Sequence, residues 1–176
     1  MKHPLEFVSA PYRKRFFFTF LFLTLILFAV FRVLDQPLRT PAAPNGIVSF
    51  ELARTPVAAE RMISSWSETG KTFASFGLGI DYLFMPLYSF ALAFGTLLAA
   101  GKHSGWLKSL GAAAGWGAFV AALFDAVENF ALFQILLGAY PSSYPAIAAF
   151  CATVKFGLLL AGLAYALTAW LLPRQS

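Results

Sequence analysis

Three polar side chains interrupt one of the most apolar stretches of the chain: Asp125, Glu128 and Asn129 in LFDAVENFALF, residues 123 to 133. Groups at i, i+3 and i+4 share one face of a helix, so two carboxyls and a carboxamide form a single patch there. Carboxyls whose surroundings push their protonation apart can divide acid and base roles. With the amide they can also grip a cationic or hydroxylated head group. Two further segments carry isolated ionisable residues. Asp81 lies in IDYLFMPLYSF, with Tyr88 two turns along the same helical face, and Pro86 between them is able to bend the helix and free a backbone carbonyl. Lys155 lies in VKFGLLLAGLAYAL, on a face that continues through Ala152, Leu159 and Gly162.

The elements that position these groups follow from composition. Of 176 residues 59% are hydrophobic and only 12% charged, and the mean hydropathy is +0.71, far from the soluble average. A bilayer-spanning helix needs ~20 mostly apolar residues. Four runs meet that length, at 16–34, 73–100, 111–138 and 146–172, which predicts an all-α, four-transmembrane-helix bundle forming a single membrane domain. The first run follows YRKR like a signal peptide, but it is too long, Arg32 follows it and no small-x-small site comes directly after, so it reads as a retained anchor.

Depth along these helices brings the polar residues together. Asp81 lies about eight residues from the outer start of its span, Lys155 about nine and Glu128 about ten, which places all three ~12 to 15 Å below the outer boundary. A centrally placed Asp, Lys or Arg costs ~2.5 to 3.5 kcal/mol to insert, so three helices carrying such groups at one level should turn them toward one another. The expectation is an outward-opening polar pocket of Asp81, Tyr88, Asp125, Glu128, Asn129 and Lys155. Lys155 is expected to be ionised and paired with Glu128 or Asp81, since proximity to acid outweighs burial.

Three uses of such a pocket differ in kind. The leading one is binding or handling a lipid-like or amphipathic molecule. A second is acid/base catalysis on a lipid-like substrate, with Asp81 and Glu128 as the catalytic candidates; Asp125 is almost a turn deeper than Asp81, which disfavours an aspartyl dyad of those two. A third is an accessory subunit of a membrane complex. On the cytoplasmic side of the patch the same face runs through Ala121, Ala118, Ala114 and Gly111, and GAAAG at 111–115 matches GxxxG, a strip suited to close helix packing, to self-association or to a membrane partner. Interhelical glue without a ligand is the plainer reading of the polar cluster, but polar contacts between membrane helices are often worth only ~0.6 kcal/mol, a weak return for the insertion cost.

Other signals point away from familiar chemistry. Cys151 is the single cysteine, which excludes an internal disulfide and a cysteine zinc cage. Asp81, Asp125, Glu128 and Asn129 offer hard oxygen donors, but Lys155 opposes a cation among them, so no metal and no cofactor is expected. His3 and His103 sit in terminal and loop positions and are expected to be solvated. The formal charge of +5 comes from basic residues beside apolar runs, with no nucleic-acid module. Lys2, Arg13, Lys14, Arg15, Lys102, Lys108 and Arg174 fall on one side, which predicts both termini cytoplasmic and the segment 35–72 outside. That segment begins with the turn-rich DQPLRTPAAPNG. One or two short helices should follow, with Thr55 as N-cap, Pro56 at the first helical position and Trp66 at headgroup level.

The combination FELARTPVAAERMISSW, IDYLFMPLYSFALA, DAVENFALF and VKFGLLLAGLAYAL resembles an uncharacterised family of four-span bacterial integral membrane proteins over roughly residues 46–170. The resemblance implies a bacterial inner-membrane location and carries over no activity and no functional residue. Lipoprotein signal peptidases and sterol-isomerase-like proteins share the size and span number, but their motifs are absent.

Overall fold

The computed structural model describes residues 1–138 and 143–173, and every regular element among them is helical. Arg174, counted above with the cytoplasmic basic residues, lies outside the described residues. Four helices are long and apolar enough to cross a membrane: α1 (Ala10–Leu34), α4 (Glu68–Ala100), α5 (Gly105–Leu136) and α6 (Tyr144–Leu171). Each begins upstream of its apolar run. Helical hydrogen bonding does not need apolar side chains, so Arg13 to Arg15, Lys71 and Lys108 extend the helices beyond their hydrophobic cores. Between α1 and α4 lie a 3-10 turn (Gln36–Leu38), α2 (Ile47–Glu51) and α3 (Pro56–Ser65). Thr55 caps α3 as its type predicts, accepting from the Ala58 amide at 3.2 Å, with Pro56 opening the helix.

Polarity in α5 is inside out. Asp125, Glu128 and Asn129 are buried, whereas Leu123, Val127, Phe130 and Phe133 on the other face are exposed. Water would select the opposite arrangement, so the surroundings that suit this helix are apolar. In α1 no residue is buried, and its rows of Phe and Leu are open to the same surroundings.

The chain packs as two compact units. The first comprises Met1–Leu25, Met85–Leu123 and Lys155–Ser176. Its core joins Leu5, Ala93, Phe94, Leu97 and Ala118, flanked by Phe17, Phe20 and Phe90. Phe20 stacks on Phe90 with centroids 4.9 Å apart, and Gly95 admits Phe17 where a Cβ would lie 3.1 Å from its ring. The small strip of α5 is filled from within the chain. A Cβ at Gly111 would collide with Tyr165 and Ala100, and one at Gly115 would collide with the imidazole of His3.

That last contact corrects the expectation for both histidines. His3 is buried: its Nδ1 accepts from the Leu5 amide at 3.1 Å and its Nε2 meets the Thr96 hydroxyl at 3.2 Å. His103 is buried too, with Nε2 donating to the Ala169 carbonyl at 2.8 Å. Terminal and loop positions favour solvation only when nothing offers a partner. Here α4, α5 and α6 present hydroxyl, glycine gap and helix-end carbonyl.

The second unit comprises Ile26–Phe84 and Phe124–Val154, with a core of Leu38, Phe50, Trp66, Leu78, Leu132 and Ile135 among others. Trp66 is buried in that core. Its indole donates to the Leu38 carbonyl at 2.8 Å, which satisfies its single donor, and its ring meets Phe50 edge-on. Asp35 organises the preceding segment: one carboxylate oxygen accepts from the Ile47 amide at 2.7 Å, the other from Arg39 at 2.9 Å. Gly46 passes so close to this carboxylate that no Cβ fits, and its φ of 59° also favours glycine.

Candidate functional site

The expected site residues of the second unit come from α4 and α5. Along α4 the inward positions Ala74, Leu78, Asp81 and Met85 recur at alternating steps of four and three, the period of one helical face. Ala74, Leu78 and Met85 are buried and Asp81 is half-buried. On α5 the corresponding face carries Asp125, Glu128, Asn129 and Leu132, all buried, with Glu128 at 0% and Asn129 at 1% exposure. The sequence spacing therefore yields the single buried polar face that it implies.

Asn129 ties the two helices together. Its amide nitrogen donates to the Asp81 carboxylate at 2.8 Å and reaches the Leu78 carbonyl at 3.4 Å. Two acceptors on one side fix the orientation of the carboxamide. Its Oδ1 consequently points the other way, and there it is buried with no hydrogen-bond donor among the described residues. Leaving such an acceptor unmade costs about 1–3 kcal/mol. One turn toward the N-terminus, Asp125 joins the same neighbourhood, because Asp81 and Asp125 both act electrostatically on the Tyr82 phenol. The Tyr82 hydroxyl donates to the Ala126 carbonyl of α5 at 3.2 Å.

Tyr82 is the member of this group that sequence reasoning missed. Tyr88, two turns along from Asp81, was the more visible choice on helical periodicity, whereas Tyr82 adjoins Asp81 and sits at the edge of the buried face, half its surface exposed. Its phenol crosses to α5 by length rather than by register.

Tyr88 and Lys155 belong to the first unit, and both are buried there. The ammonium of Lys155 is 4.8 Å from the centroid of the Phe156 ring. Its face on α6 continues through buried Ala152 and Gly162, with Leu159 half-buried, as the spacing predicts. Of the six expected residues, Asp81, Asp125, Glu128 and Asn129 fall in the second unit and Tyr88 and Lys155 in the first, all of them buried except the half-buried Asp81.

Chemically, the cluster presents carboxyl oxygens, a carboxamide oxygen awaiting a donor and a phenol at its edge. Such a set receives hydroxyl or ammonium hydrogens. Among the described residues, no three His, Cys, Asp or Glu side chains group to hold a metal ion. Comparison with protein-family models, curated proteins and solved structures gives no match.

Proposed function

We propose that the protein is an integral membrane protein of the bacterial inner membrane that binds or handles a lipid-like or amphipathic molecule, whose polar head is received by Asp81, Asp125, Glu128 and Asn129. The carrying observation is the Asn129 Oδ1 atom, buried without a donor among the described residues and beside a carboxylate that already holds its amide. A hydroxyl or ammonium from the head group would complete it. The exposed Leu123, Val127, Phe130 and Phe133 of α5 support an apolar environment for the rest of such a molecule. The basic residues Lys2, Arg13, Lys14, Arg15, Lys102 and Lys108 favour cytoplasmic termini, with the segment 35–72 outside and the pocket opening outward.

Acid/base catalysis on the same class of molecule is the second reading. It is favoured by one observation: the two candidate carboxyls have different surroundings, Glu128 fully buried on α5 and Asp81 half-buried on α4 with the Asn129 amide donating to it. Under that reading Asp81 and Glu128 are the working pair.

Native mass spectrometry of the purified protein, with extraction and identification of what travels with it, tests the binding reading. Retention of one amphiphile per chain, surviving detergent exchange, is expected. Retention no greater than that of a detergent-matched unrelated membrane protein would overturn it.

A further inference from the structure

The first unit holds a separate crevice of about 820 Å³, within the ordinary size range of small-molecule sites. One wall is the strap of residues that precedes α1. The other walls are the end of α4, around Leu97, and the start of α5, around Lys108. The strap is fastened at several points. His3 sits between Thr96 and Gly115, Trp116 donates its indole N–H to the Lys2 carbonyl at 3.2 Å, and Leu5 is buried in the core. The crevice is therefore built rather than incidental.

Its charge is one-sided. Lys2, Arg13 and Lys108 line it against the single carboxylate of Glu6. Arg13 is held in place by the Val8 carbonyl at 2.7 Å and the Glu6 carbonyl at 2.9 Å, which fixes its guanidinium at the wall. Lys2 and Lys108 are exposed, and among the described residues neither has an ion-pair partner. Burial, opposed by Glu6 and reinforced by Arg13, lowers the pKa of His3 to about 4, so it is a neutral member of the lining. Beside these cations the crevice also has an apolar side: Leu97 lines it, and Phe7 does so with most of its ring exposed.

We propose that this crevice binds the phosphate head of an anionic phospholipid, with Lys2, Arg13 and Lys108 meeting the phosphate and Phe7 resting at the start of the acyl chains. Fixed and mobile cations around one concavity suit a phosphodiester, and the adjoining apolar wall favours a lipid over a free anion. Position at the membrane surface is inherent in the residues involved, since the strap leads directly into α1 and Lys108 lies in the first turn of α5.

The test compares phosphatidylglycerol with phosphatidylcholine, each added to the detergent-purified full chain and counted by native mass spectrometry. Phosphatidylglycerol should be retained selectively at one site. The double variant Lys2→Gln/Lys108→Gln, at two exposed positions, should weaken that retention roughly thirty-fold. The double variant Lys14→Gln/Arg15→Gln removes equal charge from exposed positions outside the crevice and should leave the selective site occupied. Inorganic phosphate at roughly tens of millimolar, the level of ordinary buffers, should not displace the lipid. Equal losses in the two double variants would assign the effect to net charge and overturn the proposal. Equal retention of phosphatidylcholine, or stoichiometric binding of phosphate with no selective lipid, would overturn it as well.

Discussion

Replacing Gly115 by alanine should release the strap before α1, and the size of the effect follows from the contacts there. A Cβ at this position would collide with Nε2, Cε1 and Cδ2 of the His3 imidazole, so the ring has to leave. The Leu5 amide donates to Nδ1, which makes Nε2 the protonated nitrogen that donates to Thr96, whose hydroxyl in turn donates to the Ala93 carbonyl at 2.9 Å. Expelling the ring breaks the first two of these bonds. At about 1 kcal/mol net apiece, the closed strap loses ~2 kcal/mol relative to the open one. The open population should then rise about thirty-fold. Amide hydrogen exchange at Leu5, whose N–H is protected by the imidazole itself, reads that population directly. Gly157→Ala is the control, because a Cβ there meets nothing within 4 Å, and its Leu5 exchange should match wild type. Adding Gly115→Ala to a His3→Ala background should change Leu5 exchange little, since the clashing partner is already gone. Unchanged Leu5 exchange in Gly115→Ala, or an equal rise in Gly157→Ala, would refute the reasoning.

Three further outcomes are expected. Acidification should open the same strap: the closed form holds His3 neutral with a pKa of about 4, while the freed side chain returns toward 6.5, so opening grows as pH falls from about 6.5 toward about 4 and is flat above that window. Leu5 exchange corrected for its intrinsic pH dependence measures this, and an equal slope in His3→Gln would contradict it. Asp35→Ala strips the carboxylate from the Ile47 amide and from Arg39, and should destabilise the segment between α1 and α4 by about 2–3 kcal/mol in denaturant or thermal unfolding. Arg54→Gly should stabilise the protein by about 1 kcal/mol, because Arg54 adopts a φ of 58° that glycine reaches without steric cost; an unfolding midpoint below wild type would contradict this.

The helices and their polar faces were legible in the sequence because both depend on short-range regularities. Asp125, Glu128 and Asn129 had to share a face by spacing alone, and the buried Ala118 and Ala121 continue it as the small strip requires. Thr55 and Pro56 likewise announced the start of α3 by local chemistry. What stayed hidden depends on partners far along the chain. His3 and Thr96 meet across 93 positions, and only a hydroxyl and a glycine mark the receiving site. Asp35 opens the turn-rich stretch, and nothing local announces that it closes the loop onto an amide twelve positions away. Glu51, at the end of α2, is likewise buried, which its place in the loop does not announce. The burial of Trp66 depends on the Leu38 carbonyl, twenty-eight positions away, and on Phe50, which no local pattern marks. Within the candidate site, the Asp81 to Asn129 bond links the two faces that helical spacing had oriented, whereas Tyr82 enters through the reach of its side chain.

The central claim is that the acidic cluster of α4 and α5 serves a ligand rather than acting only as glue between helices. Asp81→Asn and Glu128→Gln keep size and hydrogen-bonding capacity while removing the acid, so they separate the two roles. The decisive measurement records amphiphile retention by native mass spectrometry and thermal unfolding on the same purified samples of both variants. The account predicts retention reduced at least tenfold, about 1.4 kcal/mol, with unfolding shifted by no more than the ~0.6 kcal/mol typical of a polar contact between membrane helices. Marked loss of stability in both variants, with wild-type retention in the protein that remains folded, would contradict it.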